Sequence, residues 1–240
     1  MSLNNKSEAK LAIILGSGLD VIADLIPEKR LLWSDKSGTH KKRTYIASIN
    51  RTPVLIFCGR KHYYEGFSQE QILENIQTAK DFGVRHLLIT NAAGGLNADF
   101  KESDLMLILS HINLNPKLAL RKSRISYRNT YYDKFKNICY DLKIRIFEGV
   151  YGCLPGPAFE TPSEISMLKR FGLDAVGMST IPEVFAASIN GMSILALSVI
   201  TNLLNENVMK PLSHNDVLEA SRKASAPLKK AIFKLVSELN

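Results

Sequence analysis

Six short apolar runs constrain the fold of this chain more than any other feature. They are "LAIILGSG" (11–18), "TPVLIFCG" (52–59), "HLLITNAAG" (86–94), "DLMLILSH" (104–111), "AVGMS" (175–179) and "SILALSVIT" (193–201). All are rich in small or branched apolar residues and run into Gly, Ser, Thr or Asn, the pattern of buried strands bounded by turns. Amphipathic stretches lie between them. In "SQEQILENIQTAKDFG" (68–83), Ile72, Leu73, Ile76 and Ala79 share a helical face that Gly83 closes. The tail 213–239 reads as another helix, with Ser213 at its N-cap and a kink at Pro227. Strands alternating with helices predict an α/β fold with a mostly parallel or mixed sheet. In such folds ligands bind where strands end in loops. With no linker, repeat or break in composition, residues 1–240 read as one domain.

Composition narrows the functional classes. Three cysteines, Cys58, Cys139 and Cys153, show no paired spacing and suit a reducing compartment. The apolar run near the start is too short for a signal peptide, and no run is long enough to span a bilayer. A cytoplasmic protein is expected. The formal charge of +8 favours acidic partners, whether nucleic acid or an anionic small molecule. The excess sits in 29–43 and 121–128, where regularly interleaved aromatics are missing, and both read as solvated faces.

The stretch "PGPAFETPSE" (155–164) stiffens the chain around two acids. "TPSE" is a capping box, with Thr161 as N-cap, Pro162 first in the helix and Glu164 able to reach back to the Thr161 amide. The helix it opens is expected to bury Ile165, Leu168 and Phe171 and to stop at Gly172. Glu160 has no such structural task. It is either a surface-loop acid or, beside Phe159, a fixed carboxylate suited to a flat heterocycle with an N–H donor.

Three strand-to-turn junctions offer donors to an anion: "ILGSGLD" with Ser17, "ITNAAGGLN" around Ala92, and "GMSTIPE" with Ser179. In the last, Thr180 and Glu183 form a second capping box around Pro182. The first is not a dinucleotide fingerprint, because Val21 stands where the third glycine belongs. "GRKHYYEGF" (59–67) places Arg60, His62, Tyr64 and Glu65 directly after a strand. Arg60 can fork onto phosphate oxygens, and Glu65 is spaced to orient His62. No second His or Cys stands at ligand spacing to His62, so no metal is expected.

In series, "LGSGL", "GRKHYYEG", "TNAAGGLN", "GPAFETPSE", "DAVGMSTIPE" and "ITN" resemble the trimeric purine nucleoside phosphorylases, in the same order and at similar spacing across roughly 11–240. The resemblance implies a central mixed sheet, partly closed like a barrel and flanked by helices. It also implies a homotrimer and a pentosyltransferase that needs no cofactor, since inorganic phosphate is a co-substrate. The expected reaction is phosphorolysis of 6-oxopurine ribo- and deoxyribonucleosides in purine salvage. On that pattern Ser17, Arg60, His62, Ala92 (through its amide) and Ser179 hold phosphate. Tyr64, Met178 and His214 hold the sugar, with Tyr151 lining the pocket. Phe159, Glu160 and Asn202 hold the base, and Asn202, Glu160 and His62 carry the catalysis. Related methylthioadenosine phosphorylases carry Asp in place of Asn202, so Asn points to inosine and guanosine.

The chain departs from the family after "HINL" (111–114), where most of a long loop is missing. In relatives that loop brings an aromatic over a neighbouring subunit's sugar, and Tyr127 and Tyr131 are the candidates to replace it. "LLNENVMKPL", before His214, is also unlike the well-known members, and Asp20 stands where glycine is usual. The rival readings are a methylthioadenosine or xanthosine phosphorylase of the same fold, a basic nucleic-acid-binding protein, and a dinucleotide-dependent oxidoreductase.

Overall fold

The computed structural model describes residues 9–37, 41–117, 125–207 and 214–239, with the side chain of His214 outside that set. Its strands are β1 (Leu11–Leu15), β2 (Lys29–Asp35), β3 (Lys42–Ile49), β4 (Thr52–Cys58), β5 (His86–Gly95), β6 (Leu105–Asn113), β7 (Ile146–Cys153), β8 (Ala175–Gly177) and β9 (Ser193–Leu203). Its helices are α1 (Val21–Asp24), α2 (Gln69–Ile72), α3 (Glu74–Asp81), α4 (Thr130–Asp141), α5 (Pro162–Arg170), α6 (Ile181–Ile189) and α7 (His214–Ser237).

The sheet order is β2-β3-β4-β1-β5-β8-β7-β6-β9, and β9 also pairs with β5. That extra pairing closes β5, β8, β7, β6 and β9 into a five-stranded barrel, with β1 to β4 as an outer wing. Closure is mixed: β5–β9, β6–β7 and β7–β8 are parallel, whereas β5–β8 and β6–β9 are antiparallel. All six sequence-read strands are present.

β1 shows how the sheet is covered on both faces. Leu11, Ile13 and Leu15 pack with side chains of α4 and α7, and Ala12 and Ile14 pack with Ile76, Ala79 and Val184 of α3 and α6. A strand buried on both sides must read as a continuous apolar run, and "LAIIL" does.

Four expectations are corrected. The basic stretch 29–43 supplies an edge strand, β2, and the start of β3, which pair antiparallel. Its charges are mostly solvated, but Lys42 is 3% exposed. β7 was missed because its two glycines and Glu148 dilute its apolar signal. The helix read over 68–83 breaks at Leu73, whose ψ of 1° interrupts it between α2 and α3. Phe171, expected in the core, is 51% exposed, because it caps α5 rather than lying on its inner face with Ile165 and Leu168. α7 runs through Pro227. Ser213 lies outside the described residues.

Candidate active site

A cleft of about 640 Å³ opens at the C-terminal ends of β1, β4, β5, β8 and β9. Ten of the predicted site residues line it: Ser17, Arg60, His62, Tyr64, Ala92, Phe159, Glu160, Met178, Ser179 and Asn202. They come from six segments of the chain, so the convergence belongs to the fold and not to any one motif.

One group of lining residues suits an oxyanion. The Gly16 amide donates to Thr90 Oγ1 at 2.9 Å, and that hydroxyl donates to the Ile14 carbonyl at 3.0 Å. This fastens the Gly-Ser-Gly turn to β5 and leaves Ser17 facing the cleft. Gly18 has φ +77°, and a Cβ there would stand 2.7 Å from that of Ser221 on α7, so only glycine fits.

Arg60 does not hang free. Its guanidinium is buried and donates to Glu183 Oε2 at 3.0 Å, Thr180 Oγ1 at 3.1 Å, Ser179 Oγ at 3.4 Å and the Thr90 carbonyl. Glu183 also accepts from the Thr180 amide at 3.2 Å, as the capping box predicts, but it is 1% exposed and chiefly the counter-ion of Arg60. Burial raises the Glu183 pKa, and Arg60 pulls it back down. Thr180 sits at φ +80°, a strained value for a β-branched residue. Its hydroxyl receives both Arg60 and, at 2.9 Å, the Asn91 amide, which holds it there.

His62 and Glu65 meet as the spacing predicts, with Nδ1 to Oε2 at 3.0 Å. The Glu65 carboxylate also accepts the His62 amide at 3.1 Å. A carboxylate only accepts, so Nδ1 carries the proton of this bond and the imidazole has a fixed tautomer. The Tyr64 ring stacks on His62, with centroids 4.8 Å apart and planes at 15°.

A second group of lining residues suits a heterocycle. β5 and β9 pair in register through Ala93 and Ile200, then shift so that Gly94 faces Asn202. The extra residue is Thr201, and such a bulge re-aims the side chains that follow it. Thr201 Oγ1 lies 3.1 Å from Asn202 Oδ1 and 3.3 Å from the Ala93 carbonyl, so the amide is held from behind. Gly94 leaves room for it: a Cβ there would meet Leu204 at 2.8 Å and Asn202 Nδ2 at 3.4 Å.

Glu160 enters the cleft from the turn before α5. The capping box behind it is complete, with Glu164 accepting from the Thr161 amide at 2.7 Å and Thr161 Oγ1 from the Glu164 amide at 3.4 Å. Burial raises the pKa of Glu160, its own backbone amide opposes the shift, and Glu164 adds to it. Phe159 stands beside it at the mouth, half-exposed, with an open face.

Three sugar-side predictions fare differently. Met178 lies against Gly156, where an added Cβ would stand 2.5 Å from its sulfur. Tyr151 does not line the cleft. It is fully buried behind the wall, its hydroxyl donating to the Ser179 carbonyl at 3.3 Å. Gly177, with no side chain, lets that ring pack behind the strand, so Tyr151 supports the Ser179 turn instead. His214 opens α7, but its side chain lies outside the described residues.

Sequence reasoning missed Thr90, Asn91 and Thr201, and it gave Thr180 and Glu183 only a capping role. Each is a polar residue in or beside an apolar strand end, but its partner comes from a distant segment. Tyr127 and Tyr131 are both buried, and the Tyr127 hydroxyl lies 2.9 Å from His111 Nδ1. Neither is placed to cover a neighbour's sugar. Among the described residues, no group of three or more His, Cys, Asp or Glu could hold a metal.

The Phosphorylase superfamily profile matches residues 10–237, nearly the whole chain. Purine nucleoside phosphorylase 1 of Bacillus subtilis is 36% identical over 98% of this chain and 94% of its own. Its counterpart in Geobacillus stearothermophilus is 36% identical over 96% and 91%. Among solved structures, the Schistosoma mansoni purine nucleoside phosphorylase in complex with adenosine superposes with a TM-score of 0.88, at 27% identity over 98% of this chain and 93% of that one. Its complex with inosine gives 0.86, with the same identity and 98% and 92% covered. The chain belongs to the purine nucleoside phosphorylases and is a pentosyltransferase. The nucleic-acid-binding and oxidoreductase readings are set aside. No described helix is long and apolar enough to cross a membrane.

Proposed function

We propose that this enzyme cleaves inosine and guanosine, with their deoxy forms, using inorganic phosphate, and releases free base and (deoxy)ribose 1-phosphate. One observation carries the reading: Ser17, Arg60, His62 and Ser179, which suit phosphate, line the same cleft as Glu160 and Asn202, which suit a base. Phosphate lies against the first group, with the Ala92 amide as a further donor. The sugar sits between, over Tyr64 and Met178, with His214 at its far end. The base lies along Phe159.

Cleavage of C1′–N9 passes through an oxocarbenium-like state, as in glycoside hydrolysis. Positive charge grows on the sugar and negative charge on the purine. The phosphate oxyanion stabilises the first and then bonds to C1′, while the C1′–N9 electron pair leaves with the base. Asn202, braced by Thr201, offers hydrogen bonds at N7 and O6 that strengthen as charge develops, which is selective stabilisation of the transition state. Glu160 accepts the N1–H of a 6-oxopurine and faces the bare N1 of adenine with a lone pair. A buried mismatch of this kind discriminates by about 10⁴ or more.

A nucleoside panel assayed with phosphate tests the preference. Inosine and guanosine are expected to react fast, and adenosine and methylthioadenosine slowly. Fast turnover of adenosine or methylthioadenosine would overturn the assignment of Glu160 and Asn202. A homotrimer, a single domain over 1–240 and a cytoplasmic location complete the proposal. The buried free thiols Cys58, Cys139 and Cys153 are in keeping with a reducing compartment.

A further inference from the structure

The segment that carries Arg60 and His62 has a second face. It turns out of β4 at Gly59, with φ +84°, and is extended again at His62, with φ −125° and ψ 152°. Arg60 and His62 line the cleft, and Lys61 points the other way. Its ammonium is 2.6 Å from Glu74 Oε2 and 3.3 Å from Asp35 Oδ2, and its side chain is 8% exposed. Glu74 opens α3 and Asp35 ends β2, so three separate elements meet at one cation.

Other contacts brace the same junction. Asn75 Nδ2 donates to the Gly59 carbonyl at 3.3 Å, the residue before Arg60. The Phe67 ring, at the far end of the loop, has Lys61 Nζ 5.2 Å and Lys42 Nζ 5.0 Å from its centroid. Asp35 accepts from the Ser37 hydroxyl at 2.7 Å and the Ser37 amide at 2.6 Å. Those bonds hold the Asp35 pKa down at about 2, with Lys61 contributing. Burial works against the charge on Lys61, but Glu74 and Asp35 outweigh it and keep its pKa above the ordinary value.

We infer that Lys61 is a positioning residue for the anion end of the cleft: clamped from behind by Asp35 and Glu74, it fixes the direction in which Arg60 and His62 face bound phosphate. The inference rests on the reading of Arg60 and His62 as phosphate-binding groups. An apolar residue at 61 would remove the cation that Asp35 and Glu74 share, and leave Asp35 with the field of Lys42. The segment would then move away from α3 or β2, and both phosphate groups would move with it. Displacements of this size matter, since about 1 Å at a positioned group can cost up to about a hundredfold.

The test compares wild type with Lys61→Met, Lys61→Arg, Arg60→Ala and the double variant Lys61→Met/Glu74→Gln. The double variant leaves the net charge of the cluster unchanged, so it separates loss of position from loss of field. Phosphate Kd is read by calorimetry without nucleoside, alongside phosphate KM, inosine KM, kcat and melting temperature. Phosphate Kd and KM are expected to rise about tenfold in Lys61→Met and in the double variant, which corresponds to about 1.4 kcal/mol. Inosine KM should stay within about twofold of wild type, and Lys61→Arg should recover most of the phosphate affinity.

Three results would overturn the inference: unchanged phosphate constants in a folded Lys61→Met, a double variant that returns to wild type, or a uniform decline of every parameter together with the melting temperature. If Arg60→Ala itself binds phosphate like wild type, the phosphate-site reading fails and this inference with it. If Arg60→Ala weakens phosphate and Lys61→Met does not, only the role of Lys61 fails.

Discussion

Glu183→Leu is expected to destabilise this protein more than removing Glu183 and Arg60 together. The two side chains are 3.0 Å apart and 1% and 3% exposed. Burial holds the Glu183 pKa above the ordinary carboxylate value despite Arg60. For an acid with a raised folded pKa, the stability contribution is fully present below the unfolded pKa and is lost as pH rises through the folded value. Above that value the ionised carboxylate adds no stability on its own account. Removing Glu183 alone is worse than removing both, because the Arg60 guanidinium is left charged in the interior without its counter-ion, at a cost of about 3–5 kcal/mol. For a chain of this length that lowers the melting temperature by at least about 6 °C.

In Arg60→Met/Glu183→Leu both charges are gone and the volume is roughly kept. The remaining loss is the hydrogen bonds that Arg60 gives to Thr90, Thr180 and Ser179 and the one that Glu183 accepts from the Thr180 amide, each about 0.5–1.5 kcal/mol, and Glu183→Leu loses the last of these too. Scanning calorimetry of the three proteins reads the order directly. Phosphate adds a second reading: in Glu183→Leu the unpaired Arg60 should make added phosphate raise the melting temperature more steeply than in wild type. A double variant that melts at or below the Glu183→Leu single would refute the reasoning.

Two further outcomes follow from the base end of the cleft. Because burial raises the Glu160 pKa, its carboxylate takes up a proton as pH falls through that raised value and stops accepting N1–H. Inosine KM should rise on the acid side, and Glu160→Gln should flatten that limb in a KM–pH profile; an unchanged limb would break the assignment. Thr201→Val removes the hydroxyl 3.1 Å from Asn202 Oδ1 and frees the amide to rotate. It is expected to lower kcat by about tenfold with phosphate KM unchanged, as for loss of an interaction that matters most in the transition state.

The strands of this fold were legible wherever burial on both faces forced an unbroken apolar run, as in "LAIIL" and "SILALSVIT". β2 and β3 were not, because β2 is a largely exposed edge strand and β3 alternates buried with partly exposed residues, so neither forms an unbroken apolar run. The site was legible where local geometry carries it: Thr161 with Glu164 and His62 with Glu65 each lie three residues apart, and both contacts form. Tyr151 was misplaced because a wall residue and the residue behind the wall differ only in side-chain direction. The partnership of Arg60 with Glu183 spans 123 residues, and no local pattern announces it. The same holds for Lys61, whose two acids come from either side of it in the chain. The bulge at Thr201 arises from pairing between β5 and β9, so it too is a property of the assembled sheet.

The most direct measurement is release of hypoxanthine from inosine, followed with and without inorganic phosphate, in wild type, Asn202→Ala and Glu160→Ala. Phosphate-dependent release in wild type, strongly reduced in both variants, is the predicted result. Release that needs no phosphate, or equal rates in all three proteins, would contradict a cleft in which phosphate attacks the sugar while Asn202 and Glu160 hold the base.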